Sequence, residues 1–323
     1  MAVVEAHDLR RTYRTTTGVF RRRRLDVEAV RGISFAIEEG ELFGLLGPNG
    51  AGKTTTIKML ITLLIPTSGR ASVLGYDVVK DAREVRKRIG YVFGGERGLY
   101  DRLSALDNLR YFAELYSVPP RDQKRRIAEL LDLVGLRGRE KERVEGFSRG
   151  MKQRLHIARG LLHDPKVVFL DEPTIGLDPV GARELRATIA SLAEAGKTIL
   201  LTTHYMFEAD ALCDRIAVIA QGEIVGEGTP SDLKALVADQ TVVEIEVFGA
   251  GEAQISRVRE LPGVANVAVD EHEAAQVLTV TAPAGLELTT GILACLDGTK
   301  VGRVSTREPT LEDAYVSLVT AER

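Results

Sequence analysis

Short apolar runs without alternation recur through the first two-thirds of the chain, at residues 42–46, 167–170, 199–202 and 216–219. A half-exposed strand alternates between apolar and polar, so these runs predict strands buried on both faces. Between them, residues 54–64, 151–162 and 181–195 space their apolar positions at helical intervals. Strands alternating with helices predict an α/β domain built on a parallel sheet. Residues from about 101 to 143 read as mostly helical, and a helical subdomain is expected at about 96–150.

The pattern changes near residue 238. Val243, Ile245 and Val247 alternate with Glu244 and Glu246, as on a strand with one wet face. Beyond it, 253–260 reads as helix, 264–269 and 276–280 as strands, 286–296 as helix, 301–306 as strand and 310–319 as a last helix. The order β-α-β-β-α-β predicts a small ferredoxin-like α+β domain. Thr229 and Pro230 suit the cap and first position of a short helix ending near 238. The expected domains are therefore 1–238 and 239–323.

Composition sharpens that division. From Asp239 onward there are 14 acids against 6 bases, so a chain of net charge −3 conceals a first domain at +5 and a second at −8. With 323 residues, 44% of them hydrophobic, there is material for two cores. The near-neutral total argues against binding driven by bulk positive charge, and no nucleic-acid partner is expected. Cys213 and Cys295 lie far apart and lack ligand spacing, which suits a reducing compartment. No apolar run reaches the roughly 18 residues of a membrane helix. The first ten residues lack the basic-then-apolar order of a secretory signal. A cytoplasmic location, with membrane contact only through a partner, is the expectation.

Residues 47–54, Gly-Pro-Asn-Gly-Ala-Gly-Lys-Thr, fit G-x-x-x-x-G-K-[ST] between an apolar strand and a helix. Glycines there let backbone N–H groups turn inward around phosphate oxygens at a helix N-terminus. Gly47, Asn49, Gly50, Gly52, Lys53, Thr54 and Thr55 are the candidate nucleotide contacts, with Lys53 aimed at the β- and γ-phosphates and Thr54 at Mg²⁺. Asp171 and Glu172 follow the strand at 167–170, at the sheet edge where open α/β folds bind ligands. Asp171 is expected to hold Mg²⁺, and Glu172 to orient and deprotonate the attacking water.

With these motifs in this order, residues 1–238 resemble the ATP-binding subunit of ABC transporters. Residues 147–155, Phe-Ser-Arg-Gly-Met-Lys-Gln-Arg-Leu, resemble the family signature L-S-G-G-Q. The resemblance implies that Ser148 and Gly150 meet the γ-phosphate of ATP held by a second, head-to-tail cassette. It further implies that Asp178, in Gly176-Leu-Asp178, crosses the dimer interface, that His204 contacts the γ-phosphate, and that Tyr13 stacks on adenine. A homodimer, an integral membrane permease as partner, and a place on the inner face of the cell membrane follow from it.

Two departures stand out. Gly95 occupies the slot where the family generally has a Gln reaching Mg²⁺ and the lytic water, so Glu96 or backbone and water must serve instead. Arg149 replaces the first Gly of the signature. Between Arg10 and Arg31 there are eight arginines, four of them consecutive at 21–24, which read either as a solvated hairpin loop or as a contact for anionic lipid headgroups. His272 and Asp297 stand isolated in the acidic C-terminal domain, for which a regulatory or dimer-supporting role is expected by analogy.

The resemblance implies an ATPase subunit powering a separate membrane channel. The stretch from Phe93 to Arg97 is similar to a bacterial subgroup tied to drug, antibiotic or ion export, which favours an exporter. A non-transport ABC ATPase is the alternative, but the chain has one cassette and no long heptads. A phosphate-loop kinase or GTPase would need no signature, and the N-K-x-D guanine pattern is absent.

Overall fold

The four buried runs are strands, and a parallel ladder sets their ends at one edge. In the computed structural model, which describes residues 1–17, 23–94, 98–271 and 275–320, they belong to a six-stranded sheet. Its order is Glu223–Gly228, Arg215–Ala220, Leu42–Leu46, Thr198–Thr203, Val167–Asp171, Ile89–Phe93. The last five are parallel, and Glu223–Gly228 closes one edge antiparallel. Leu42–Leu46, Val167–Asp171 and Thr198–Thr203 are buried at every position, as strands covered on both faces must be. Register pairs Leu46 with Thr203, and Asp171 with both Thr202 and Phe93. The loops after four strands therefore open side by side.

A second sheet, antiparallel, runs Arg23–Glu38, Ala2–Thr17, Ser68–Val73, Tyr76–Asp77. Its first two strands, 16 residues each, pair antiparallel with one another. Phe35 stacks on Phe43 of the parallel sheet at 5.4 Å between centroids, so one apolar core joins the sheets.

The region expected to be helical holds Ala105–Leu115 and Pro120–Leu133, followed by Arg149–Gly160. Ser104 caps the first, accepting from Asp107 N. The helix after the glycine-rich loop is Lys53–Leu60, shorter than its apolar pattern. Thr62 has φ 67°, and both Leu63 N and Leu64 N donate to Lys58 O, so the chain leaves the helix while its leucines continue.

The chain divides into two compact units, Met1–Pro230 and Ser231–Arg323. The short helix Pro230–Ala235 thus falls at the junction, ahead of the position at 238 expected from composition. In the second unit the elements run β-α-β-β-α-β, and the antiparallel sheet order is Asn266–Glu271, Gln276–Pro283, Gln240–Phe248, Lys300–Arg307. Val243, Ile245, Val247, Leu278 and Val280 face Ile255, Val258 and Ile292 of two helices in one core. A further helix, Leu311–Thr320, ends the described chain. Among the described residues no helix is long and apolar enough to cross a membrane. Residues 18–22, 95–97 and 272–274 lie outside the described residues, so the expectations placed on Arg21, Arg22, Gly95, Glu96 and His272 have no structural account here.

Candidate nucleotide site

The loop after Leu42–Leu46 bends into the helix Lys53–Leu60 through Gly50 and Gly52, at φ 83° and 111°. A side chain at Gly52 would put Cβ 2.5 Å from Ala29 O, whereas at Gly50 it would meet nothing within 4 Å. Gly52 is thus required by packing and backbone conformation, while Gly50, exposed beside Pro48 and Asn49, faces open space. No side chain caps the helix. Its first N–H groups, which lack intrahelical acceptors, are available to an anion together with the positive end of the helix dipole. Thr54 and Thr55 are half-buried in that first turn.

Lys53 is 4% exposed and turns back under the loop, donating from Nζ to Gly47 O at 2.6 Å and Pro48 O at 3.1 Å. Its third neighbour is Glu172 Oε1, at 3.2 Å. An ammonium this buried is tolerable only when paired and hydrogen-bonded. Asp171, at the end of the strand Val167–Asp171 two places along the sheet, accepts on Oδ1 from Thr54 Oγ1 at 3.1 Å and from Thr202 Oγ1 at 2.6 Å. Glu172 has φ 48°, an uncommon conformation for a residue with a side chain. Its N–H is shared by Thr202 O at 3.0 Å and Thr202 Oγ1 at 3.1 Å, which holds the turn in place. His204 Nδ1 lies 3.2 Å from Glu172 Oε2 without an aligned hydrogen bond, and its ring sits 4.1 Å from that of Tyr205.

One cluster therefore gathers Lys53, Thr54, Asp171, Glu172 and His204, five residues singled out from the sequence, around three parallel strand ends. A second gathers Ser148, Gly150 and Asp178. Ser148 caps Arg149–Gly160 by accepting from Met151 N, and Asp178 caps Pro179–Glu194 by accepting from Val180 N and Gly181 N. Those backbone bonds, led by the one from Gly181, hold the Asp178 carboxyl below its ordinary range. Gly150 is buried, where an added Cβ would stand 3.7 Å from Gly181 Cα, so the two capped helices meet at their N-termini. Tyr13 belongs to neither cluster by its contacts; it pairs with Val27 in the hairpin, and the Arg11 guanidinium lies 4.9 Å from its ring centroid.

The oxygens of Thr54 and Asp171 are hard ligands of the kind Mg²⁺ prefers. Among the described residues no group of three or more His, Cys, Asp or Glu could hold a metal by itself. Such a pair fits an ion that completes its shell with phosphate and water. Of the arginine cluster, Arg10 pairs with Asp8 at 2.8 Å and Arg11 donates to Ile65 O at 2.8 Å. Two residues given no role from the sequence also enter the site: Thr202, which touches both Asp171 and Glu172, and the buried Glu208, four residues beyond His204.

A phosphate loop, an acidic strand end and a histidine on adjacent strands of a doubly covered sheet define a nucleotide-binding cassette. The ABC transporter family model matches residues 30–175. Over 291 residues the chain is 39% identical to the linearmycin resistance ATP-binding protein LnrL of Bacillus subtilis (strain 168), covering 90% of this chain and 93% of that one. It is 37% identical over 300 residues to the daunorubicin resistance ATP-binding protein DrrA3 of Streptomyces coeruleorubidus, covering 92% and 93%. Among solved structures, a dimeric ATP-binding cassette in a post-hydrolysis state, bound to ADP and Pi, matches with a TM-score of 0.61 at 26% identity, over 70% of this chain and 98% of that one. The chain belongs to the family of ABC transporter ATP-binding proteins.

Proposed function

We propose that this chain is the ATP-hydrolysing subunit of an exporter, powering removal of a drug, antibiotic or other small molecule through a separate membrane permease. The observation that carries the chemistry is the chain of contacts Lys53–Glu172–His204, at 3.2 Å each, beside the Thr54–Asp171 pair. Lys53 and the uncapped helix start bind the phosphates, exchanging internal acceptors for phosphate oxygens. Glu172 orients the attacking water and accepts its proton, and His204 holds Glu172 and the γ-phosphate in register. Thr54 and Asp171 are the residues that would hold Mg²⁺, which when bound spreads the negative charge of the phosphates.

Export is supported by the two drug-resistance relatives, whose likeness extends across both units of the chain. A homodimer is supported by the dimeric cassette of similar fold. In it, the capped ends at Ser148, Gly150 and Asp178 complete the partner's site, Tyr13 flanks adenine, and the permease keeps the dimer at the inner membrane face. We read the second unit as a ferredoxin-like accessory domain.

Release of phosphate from ATP by the purified chain with Mg²⁺ tests the reading. Lys53→Ala should lower turnover by about a hundredfold or more, because it removes a preorganised charge on the transferred group. Equal turnover by the two proteins would overturn it.

A further inference from the structure

Glu208 is 3% exposed and every bond it makes reaches a different element. Its Oε2 accepts from Thr174 Oγ1 at 2.9 Å and from Thr203 Oγ1 at 3.0 Å. Its Oε1 accepts from Arg186 Nη1 at 3.2 Å. Thr174 lies two residues after Glu172, in the turn where Ile175 N donates to Glu172 O. Thr203 is the last strand residue before His204, and its hydroxyl oxygen also accepts from Tyr205 N at 3.0 Å, so the bond to Glu208 fixes both sides of the histidine. Arg186 rises from the helix that Asp178 caps, and its guanidinium lies 5.4 Å from the ring centroid of Phe207.

A buried carboxylate is costly unless every oxygen is satisfied, and here two hydroxyls and a guanidinium satisfy it. The same bonds tie together the three segments that the nucleotide reaction uses: the turn carrying Glu172, the turn carrying His204, and the helix starting at Asp178. Phe207 is 69% exposed and Val180 66%, so the Arg186 side of this network lies at the surface while the Thr174 and Thr203 side lies inside.

We propose that Glu208 is a positioning residue for ATP hydrolysis, holding Glu172 and His204 at their working separation and linking that separation to the placement of the Asp178-capped helix. The proposal rests on the reading of Glu172 as the general base. Both carboxylate oxygens of Glu208 are taken up by Thr174, Thr203 and Arg186, none of them a residue assigned to the phosphates or to Mg²⁺. Removal of Glu208 should therefore act on turnover and leave ATP affinity alone.

The test measures kcat, KM and equilibrium ATP binding for the full chain carrying Glu208→Gln, Glu208→Ala or Glu172→Gln. Glu208→Ala should cost about a hundredfold in kcat through misplacement of reacting groups. Glu208→Gln keeps its carbonyl oxygen as the acceptor for both hydroxyls but turns its amide NH2 toward Arg186, losing the charge and that bond, so it should recover about tenfold of that loss. ATP affinity should stay within about twofold throughout. Wild-type kcat in both Glu208 variants, corrected for folded fraction, would overturn the proposal. So would a loss confined to KM, which a general loosening of the site would give. If the Ala variant fails to fold, the graded loss in kcat with unchanged affinity is read from the Gln variant alone. Full turnover by Glu172→Gln would sink the reading of the base, whereas its inactivity beside normal Glu208 variants would sink only this proposal.

Discussion

Clustered charge is handled differently in the two units. At the edge of the parallel sheet, Lys53, Asp171 and Glu172 are satisfied by partners that include backbone carbonyls and one another, next to a helix start with no side-chain cap. In the second unit, Arg307 donates to Glu244 Oε1 at 2.6 Å and to both oxygens of Asp313, which also accepts from Thr310 N and Oγ1. Asp313 and Glu244, led by the former, hold the Arg307 guanidinium further into its charged range. Burial would raise the Asp313 carboxyl, but the bonds from Arg307 and Thr310 outweigh it and lower it. The first arrangement keeps donors that a phosphate can take over; the second closes on itself. The lesson is that charge in a sheet-edge cluster marks chemistry only when the surrounding backbone still offers unpaired donors.

That comparison can be broken by variants that disturb one unit at a time. Arg307→Met leaves Asp313 and Glu244 without their shared donor, and the second unit should lose about 1 to 3 kcal/mol of stability. Calorimetry should show that loss in one transition, while ATP turnover per folded chain stays at the wild-type level. A matching fall in turnover would show that the closed network serves the site.

An effect confined to the first unit and to acid pH comes from His156 on the helix Arg149–Gly160. The residue is 1% exposed with Nε2 unpartnered. Burial first, then the charges of Arg159 and Lys152, lower its pKa from 6.5 to about 3. Between those values the unfolded chain takes up a proton that the folded chain refuses, so stability falls as pH falls through that window, by up to about 1.4 kcal/mol per pH unit. His156→Leu should flatten the acid limb of a stability-versus-pH curve below pH 6.5. An unchanged slope would exclude His156 as its source.

Much of the chemistry was legible because it is local. Gly47 to Thr54 is a contiguous loop, Asp171 and Glu172 adjoin, and Ser148 and Asp178 are each followed by the helix they cap. Of the antiparallel sheet of residues 2–77 only a hairpin around the arginine run was read, for physical reasons. Asp8 has φ 44°, and the hairpin register shifts between Ala6 and Leu9 and again between Arg11 and Thr12, so the apolar alternation that announces a strand is broken along it. The helix at Lys53 was overextended because its apolar pattern runs on through Leu63 and Leu64, beyond the turn at Thr62. Glu208 was missed since an acid near the start of a short helix reads as solvent-facing, and its partners lie 34, 22 and 5 residues away. Networks closed by tertiary contacts leave no local pattern.

The central claim is that Glu172, held between Lys53 and His204, is the base that activates water. The most direct measurement compares ATP turnover, ATP affinity and ATP-dependent molecular mass for the wild-type chain and Glu172→Gln. The account predicts unchanged affinity, turnover lowered by about a hundredfold or more, and a dimer that persists only while ATP is present. Turnover above about a tenth of the wild-type rate, too small a loss for removal of a general base, would contradict it.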